Sequence, residues 1–160
     1  VGLTARTGLG LLQILSKNAK DETASVFEDI RPDSIIEKKE FVFLSRREDL
    51  VHVFEDKISI LKIDVEGGEL EVLKGAVSTI RNHRPVIIIE ILPAYTPSNT
   101  YRIERQREIE EFIKPLRYRI VQIVKDDKNN LDSLNFIESL GINSDILLRD
   151  YLLVPEEVNL

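Results

Sequence analysis

Ile58 to Leu92 reads ISILKIDVEGGELEVLKGAVSTIRNHRPVIIIEIL, and this stretch decides the fold. Ile58, Ile60, Leu61, Ile63 and Val65 mark Ile58 to Val65 as a strand. Val86 to Leu92 is a nearly unbroken apolar run, the pattern of a strand buried on both faces. Between them Leu70, Leu73, Val77 and Ile80 recur at three- and four-residue spacing, widened by Val72 and Ala76, so the spacing predicts one helix over Glu69 to Asn82. Gly67 and Gly68 permit a tight turn off the first strand, and Glu66, Glu69 and Glu71 put negative charge where a helix dipole favours it. Arg81, His83 and Arg84 crowd the helix end, and Pro85 stops it.

A helical crossover between two strands implies parallel pairing with a right-handed connection, so both strands finish on one edge of the sheet. Asp64 and Glu66 follow the first strand, and Glu90 lies near the end of the second. Open parallel sheets bind ligands outside the carboxyl ends of their strands, which makes these three carboxylates the leading site candidates.

The run Lys62-Ile-Asp-Val-Glu-Gly-Gly-Glu-Leu-Glu-Val-Leu-Lys-Gly-Ala76, followed by Arg-Pro-Val-Ile-Ile-Ile-Glu-Ile91, resembles the central segment of the FkbM-type methyltransferases. The resemblance extends from Glu40 to Pro155, with its specificity concentrated between Lys62 and Ile91. It implies an S-adenosylmethionine-dependent enzyme of the class I, Rossmann-like fold that methylates hydroxyl groups of sugars or natural products. Enzymes of that class hold the cofactor mainly with a glycine-rich turn after the first strand and an acidic residue after the second. Neither feature can be placed in this sequence, so its cofactor-binding residues are not assigned. The chain therefore reads as the C-terminal, substrate-side portion of a methyltransferase domain, with the glycine-rich half missing.

Methyl transfer from a sulfonium to an alcohol is an in-line displacement that needs alignment of donor and acceptor and removal of the hydroxyl proton. A carboxylate within hydrogen-bond reach does both, more effectively where partial burial raises its pKa. Asp64 is the first candidate for that base, with hydration expected to be limited at the end of a buried strand, and Glu66 completes the catalytic pair. Glu66 and Glu90 are also candidates to orient the acceptor or to partner a divalent cation. The plainer alternative is that Glu66 complements a helix start and Asp64 accepts backbone N–H groups in the turn. Lys62, on the strand interior, is the expected partner of one of these carboxylates. The segment Pro93-Ala-Tyr-Thr-Pro-Ser-Asn-Thr-Tyr101 follows the second strand, and its turn formers, hydroxyls and amides suit a loop that grips a substrate. Tyr95 and Asn99 are its candidate substrate contacts, with Tyr101 a second flat ring.

The flanks are read more simply. Gly8-Leu9-Gly10 is the only close glycine pair ahead of the central unit, but Val1 to Thr4 is too short for the strand a cofactor loop requires. Val1 to Lys20 is thus a short helix or irregular segment packed through Leu9, Leu11, Leu12 and Ile14, and Asp21 to Lys39 is a polar connection. Glu40 to Ser45 is a strand, and Arg46 to Phe54 a short helix carrying Leu50, Val51 and Phe54 inward. His52 and His83 lack partners at ligand spacing and read as surface or half-buried residues; no metal ligand is assigned. Arg102 to Lys114 is a charged helix with Ile109, Phe112, Ile113 and Leu116 gathered near its end, closed by Pro115. Tyr118 to Val124 is a strand, Asp126 to Asn130 a turn, Leu131 to Leu140 a short helix capped by Gly141, and Ile146 to Val154 a last strand. The two final strands pair antiparallel at one side of the sheet. The expected architecture is a single α/β domain over residues 1–160, a partial Rossmann-like class I fold with a mostly parallel sheet, helices on its faces and a C-terminal antiparallel strand pair.

Bulk properties bound the partners. A net charge of −6 disfavours phosphate-backbone binding, so nucleic acid is not expected. No apolar run approaches the roughly 20 residues that span a bilayer, and no membrane is expected. The absence of cysteine excludes disulfides and thiol chemistry and fits a reducing, cytoplasmic setting. The expected partner is a small-molecule or glycan acceptor; oligomeric state is not legible. Two other readings stand beside the O-methyltransferase: a non-catalytic α/β interaction module derived from one, and a metal-assisted hydrolase using Asp64, Glu66 and Glu90.

Overall fold

The structure is a computed structural model that describes residues 2–16, 22–26, 35–53, 57–145 and 147–160. The chain divides into two compact units, one of residues 1–56 and 65–79 and one of residues 57–64 and 80–160.

The first unit is built on a four-stranded sheet of order β1-β4-β2-β3, formed by β1 (Gly2–Leu3), β2 (Gly8–Ser16), β3 (Glu22–Ser25) and β4 (Ile35–Ser45). β1 runs parallel to β4, and the other two pairings are antiparallel. Where the sequence led us to expect a helix or irregular segment at the N-terminus and a plain connection after Asp21, the chain makes two strands. Gly8 and Gly10 therefore lie inside a strand. A Cβ at Gly10 would sit 2.4 Å from Leu44 Cδ1, and one at Gly2 2.9 Å from Leu44 Cδ2, so both glycines make room for one buried leucine. The segment expected as a helix after Ser45 is a 3₁₀ helix, Arg47–Val53, kinked at Leu50. The inward positions expected of Val51 and Phe54, and the reading of the His52 side chain, lie outside the described residues.

The expected single helix over Glu69 to Asn82 is two, α1 (Glu69–Gly75) and α2 (Val77–His83), interrupted at Ala76 (φ −114°, ψ 15°). Two contacts explain the break. The backbone of Thr4 lies directly against Gly75, where a Cβ would be 2.0 Å from the Thr4 carbonyl oxygen. Glu48 Oε1 accepts the Ser78 N–H at 2.8 Å and so caps the restart. Leu70, Leu73 and Ala76 are fully buried, as their spacing predicted.

The second unit carries a five-stranded sheet of order β5-β6-β9-β7-β8, from β5 (Ile60–Ile63), β6 (Val86–Glu90), β7 (Tyr118–Lys125), β8 (Leu131–Ile137) and β9 (Asp150–Pro155). β5 and β6 are parallel, while the β6/β9, β9/β7 and β7/β8 pairings are antiparallel. The sheet is therefore mixed, which corrects the expectation of a mostly parallel one. The physical reason is that the last strand returns by insertion between β6 and β7 and that Leu131 to Ile137 forms a hairpin with β7 in place of the expected helix. The turn Asp126 to Asn130 sets this hairpin: Asp126 Oδ1 accepts the N–H groups of Lys128 (2.9 Å) and Asn130 (2.8 Å), and Asn129 takes φ 64°.

The registers give this sheet two unlike faces. Ile63, Ile89 and Tyr151 stand in one row and Ile87, Leu153 and Ile120 in the next, all buried. A fully buried isoleucine contributes about 1.5–3 kcal/mol, so this face is the core of the unit. The opposite face carries Lys62, Ile88, Leu152, Val121 and Phe136 in one row, exposed at its Lys62 and Phe136 ends and buried at Val121. α3 (Thr100–Ile113) buries Gln106, Ile109 and Ile113, and a 3₁₀ turn through Pro115 ends it.

Arg84 ties the end of this unit together. In the left-handed region after α2 (φ 53°), it donates to the Leu116 carbonyl at 2.6 Å and pairs with both oxygens of Glu157 at 2.7 and 2.8 Å. Its guanidinium stands 4.7 Å from the centroid of the Tyr118 ring. The Tyr118 hydroxyl donates to the Pro85 carbonyl at 2.9 Å, and burial pushes its pKa up to about 12. Arg84 in turn holds the Glu157 carboxyl down at about 2, against an ordinary 4.5.

Two expectations follow. Gly75→Ala drives a methyl group into backbone that has no room to yield and should cost about 3 kcal/mol or more, read as a fall in the thermal midpoint; an unchanged midpoint contradicts the Thr4 contact. Because the folded pKa of Glu157 is depressed, its stabilising contribution is present above about pH 4.5 and is lost as pH falls toward 2. The stability gap between wild type and Glu157→Gln should thus be largest at neutral pH and close through that window, and a gap independent of pH would refute the pairing.

Candidate functional site

β5 and β6 finish at one edge of the second unit's sheet. Ile63 is level with Ile89, so Asp64 and Glu90 are neighbours one residue further on. Glu90 is in turn level with Asp150, the first residue of β9, whose antiparallel course brings its beginning to this edge. Level residues on paired strands point to the same face, with Cβ atoms about 4.5–5.5 Å apart. Glu90 and Asp150 thus stand side by side, and Asp64, the residue after β5, continues the row at the same edge.

Each member of the row has its own cation. Lys62 Nζ lies 3.1 Å from Asp64, Arg149 Nη1 3.2 Å from Glu90, and Lys125 Nζ 2.5 Å from Asp150. The Asp64 side chain is 41% exposed, whereas those of Glu90 and Asp150 are 18% and 22% exposed. The limited hydration expected of Asp64 is not found: β5 ends at Ile63, and the next residue already stands in solvent. Lys62 pairs with Asp64 as expected, but from an exposed position, since residues two apart on a strand share a face. Among the described residues no three of His, Asp and Glu converge to hold a cation.

Glu66 belongs to the first unit and is described there. It occupies a tight turn with φ 50°, followed by Gly67 at φ 98°, and the turn closes with the Gly68 N–H on the Val65 carbonyl at 3.4 Å. The Gly67 N–H donates to Glu69 Oε1 at 2.7 Å. The acid that serves this turn is therefore Glu69, buried to 5% exposure.

The loop after β6 holds its own residues in place. Arg102 donates to the Pro93 carbonyl at 2.9 Å and lies over the Tyr95 ring at 5.1 Å, so one face of the ring expected to stack on a substrate is already covered. Asn99 Oδ1 accepts the Thr96 N–H at 3.3 Å, and the Asn99 carbonyl accepts the Ile103 N–H at 3.1 Å at the start of α3. Tyr101 remains exposed. Buried Gln106, oriented to accept from the Ala94 N–H (3.2 Å) and donate to the Gly141 carbonyl (2.9 Å), anchors the loop. His83 Nδ1 accepts the Ile58 N–H at 3.1 Å, a structural role consistent with its half-buried reading.

Asp150, Arg149 and Gln106 were not singled out from the sequence. Asp150 and Arg149 carry no motif, and only the insertion of β9 beside β6 reveals them. A polar residue within an otherwise charged helix gave Gln106 no distinguishing signal.

Comparison with known proteins gives a match to the Methyltransferase FkbM domain over residues 14–120. The chain belongs to the FkbM methyltransferase domain family. Among solved structures, the crystal structure of Methyltransferase FkbM from Methylobacillus flagellatus KT is similar at 21% sequence identity and a TM-score of 0.41, over 71% of this chain and 23% of that one. The FkbM chain described here thus spans less than a quarter of the length of that protein. No curated protein matches it.

A methyltransferase of this family calls for a cradle for S-adenosylmethionine, and neither close glycine pair is placed to supply one. Gly8 and Gly10 stand in β2, with the space above Gly10 taken by Leu44. The Gly67 and Gly68 amides of the turn are committed to the Glu69 carboxylate and the Val65 carbonyl. What the FkbM chain does present is an ion-paired acidic row at the carboxyl ends of its parallel strands. No helix among the described residues is long and apolar enough to cross a membrane.

Proposed function

We propose that this chain is the acceptor-binding part of an S-adenosylmethionine-dependent O-methyltransferase that acts on a hydroxyl of a sugar or natural product. The single observation that carries the reading is the carboxylate row Asp64, Glu90 and Asp150, which begins in the family's own KIDVEG run. The cofactor, bound by the whole protein, supplies the electrophilic methyl group.

The chain's residues act on the acceptor. Asp64 is the most open member of the row, held by Lys62 alone among its ion pairs, and its second oxygen accepts a hydrogen bond from an incoming hydroxyl. As the oxygen becomes nucleophilic its proton passes to that carboxylate. Glu90 and Asp150, each paired with a cation and largely shielded, position neighbouring hydroxyls without changing charge. In this reading Tyr95 offers its uncovered face and Tyr101 its exposed ring to a sugar, and Asn99 shapes the loop that carries them.

A transfer assay tests this. Incubated with methyl-labelled S-adenosylmethionine and a panel of sugars and polyols, the intact protein should label a hydroxyl, and Asp64→Asn should lower kcat by about 10²-fold with the thermal midpoint unchanged. An intact protein that labels none of them argues against the methyltransferase reading, and a fully active Asp64→Asn variant removes Asp64 from the role.

A further inference from the structure

The three cations of the carboxylate row are not equally engaged. Lys62 donates a hydrogen bond to Asp64 at 3.1 Å, and Lys125 donates one to Asp150 at 2.5 Å. Arg149 meets Glu90 through Nη1 alone, at 3.2 Å, and its side chain donates no hydrogen bond among the described residues. Its side chain is 41% exposed, against 18% for Glu90. The backbone that carries it is nevertheless held on both sides. The Arg149 carbonyl accepts the Ile91 N–H at 2.9 Å, and the Leu148 carbonyl accepts the hydroxyl of fully buried Tyr151 at 2.9 Å. A guanidinium presents its N–H donors in a rigid fork, and contact through Nη1 leaves the side formed by Nε and Nη2, which grips a carboxylate or phosphate with two parallel bonds, open to a ligand. Pinned backbone also lowers the entropy lost when such a side chain binds.

We propose that the acceptor is anionic, and that Arg149 selects it by taking a carboxylate or phosphate group on its Nε and Nη2 side while a hydroxyl of the same molecule lies against Asp64. This deepens the acceptor-binding reading above and rests on it. Asp64 and Asp150 each keep a hydrogen-bonded lysine, so they oppose an anion at Arg149 far less than bare carboxylates would. Glu90 stays on the Nη1 side, and the guanidinium then bridges two anions. Asp64 lies one strand over from Glu90, about 4.8 Å away. The anionic group and the methylated hydroxyl therefore stand on separate carbons of one acceptor. Lysine would not serve equally, because an ammonium is a point charge without the planar fork.

Transfer from methyl-labelled S-adenosylmethionine to matched acceptors decides the matter: glucose, glucuronic acid and glucose phosphate, with the galactose and mannose equivalents. In the intact protein at least one acid should show a KM about tenfold below that of its neutral parent, and whether the carboxylate or the phosphate does so names the group. Arg149→Gln should bring the ratio of the two KM values to about one. Arg149→Lys, which keeps the charge and loses the fork, should leave the ratio in between and answers alone should Arg149→Gln fail to fold by circular dichroism. A ratio that neither substitution moves overturns the proposal. A wild-type protein that methylates neutral sugars as readily as the acids overturns it too, and leaves the O-methyltransferase reading standing. One that labels no sugar, neutral or acidic, overturns both.

Discussion

The parallel register of β5 on β6, with Ile63 level with Ile89, is the constraint from which the second unit's chemistry follows. Side chains alternate strictly along a strand, so fixing these two isoleucines in the core fixes Asp64 and Glu90 on the other face and at the same level. A slip of one residue would bury both acids and expose the isoleucines, and the apolar area at stake makes that slip prohibitive. Insertion of β9 against β6 extends the same logic. Tyr151 and Leu153 join the core rows, and Asp150 falls beside Glu90.

The resulting row sets three carboxylates side by side, which their mutual repulsion would oppose if nothing intervened. Lys62, Arg149 and Lys125 intervene one to one. An exposed pair such as Lys62 with Asp64 contributes only about 0–1 kcal/mol, so it leaves Asp64 available to an incoming group. The more shielded pairs at Glu90 and Asp150 bind their cations where water competes less. The row therefore grades from open at Asp64 to shielded at Glu90 and Asp150.

Much of this was legible in the sequence and some was not, for identifiable reasons. The two central strands, the turn at Gly67, the stop at Pro85 and the buried stripe of Leu70, Leu73 and Ala76 followed from periodicity and punctuation, and so did the shared edge of Asp64 and Glu90. The break at Ala76 did not, because it answers to Thr4, some seventy positions away in sequence. β2 escaped because GLGLLQILS alternates poorly and its glycines serve Leu44, and β8 escaped because LDSLNFI spaces its apolar residues as a helix would. Asp150 was beyond reach for a topological reason: no local signal shows which strands a returning segment will enter between. The family's imprint, by contrast, lies in a contiguous run and needs no tertiary knowledge to read.

All of the acceptor-side chemistry argued for the row rests on β9 lying against β6, which isotope-edited NMR on labelled protein tests without any substrate. The account predicts backbone NOEs joining Glu90 to Asp150 and Ile88 to Leu152, together with the parallel pattern joining Ile63 to Ile89. NOEs that pair β6 directly with β7, and none that join it to β9, would contradict it and dissolve the row.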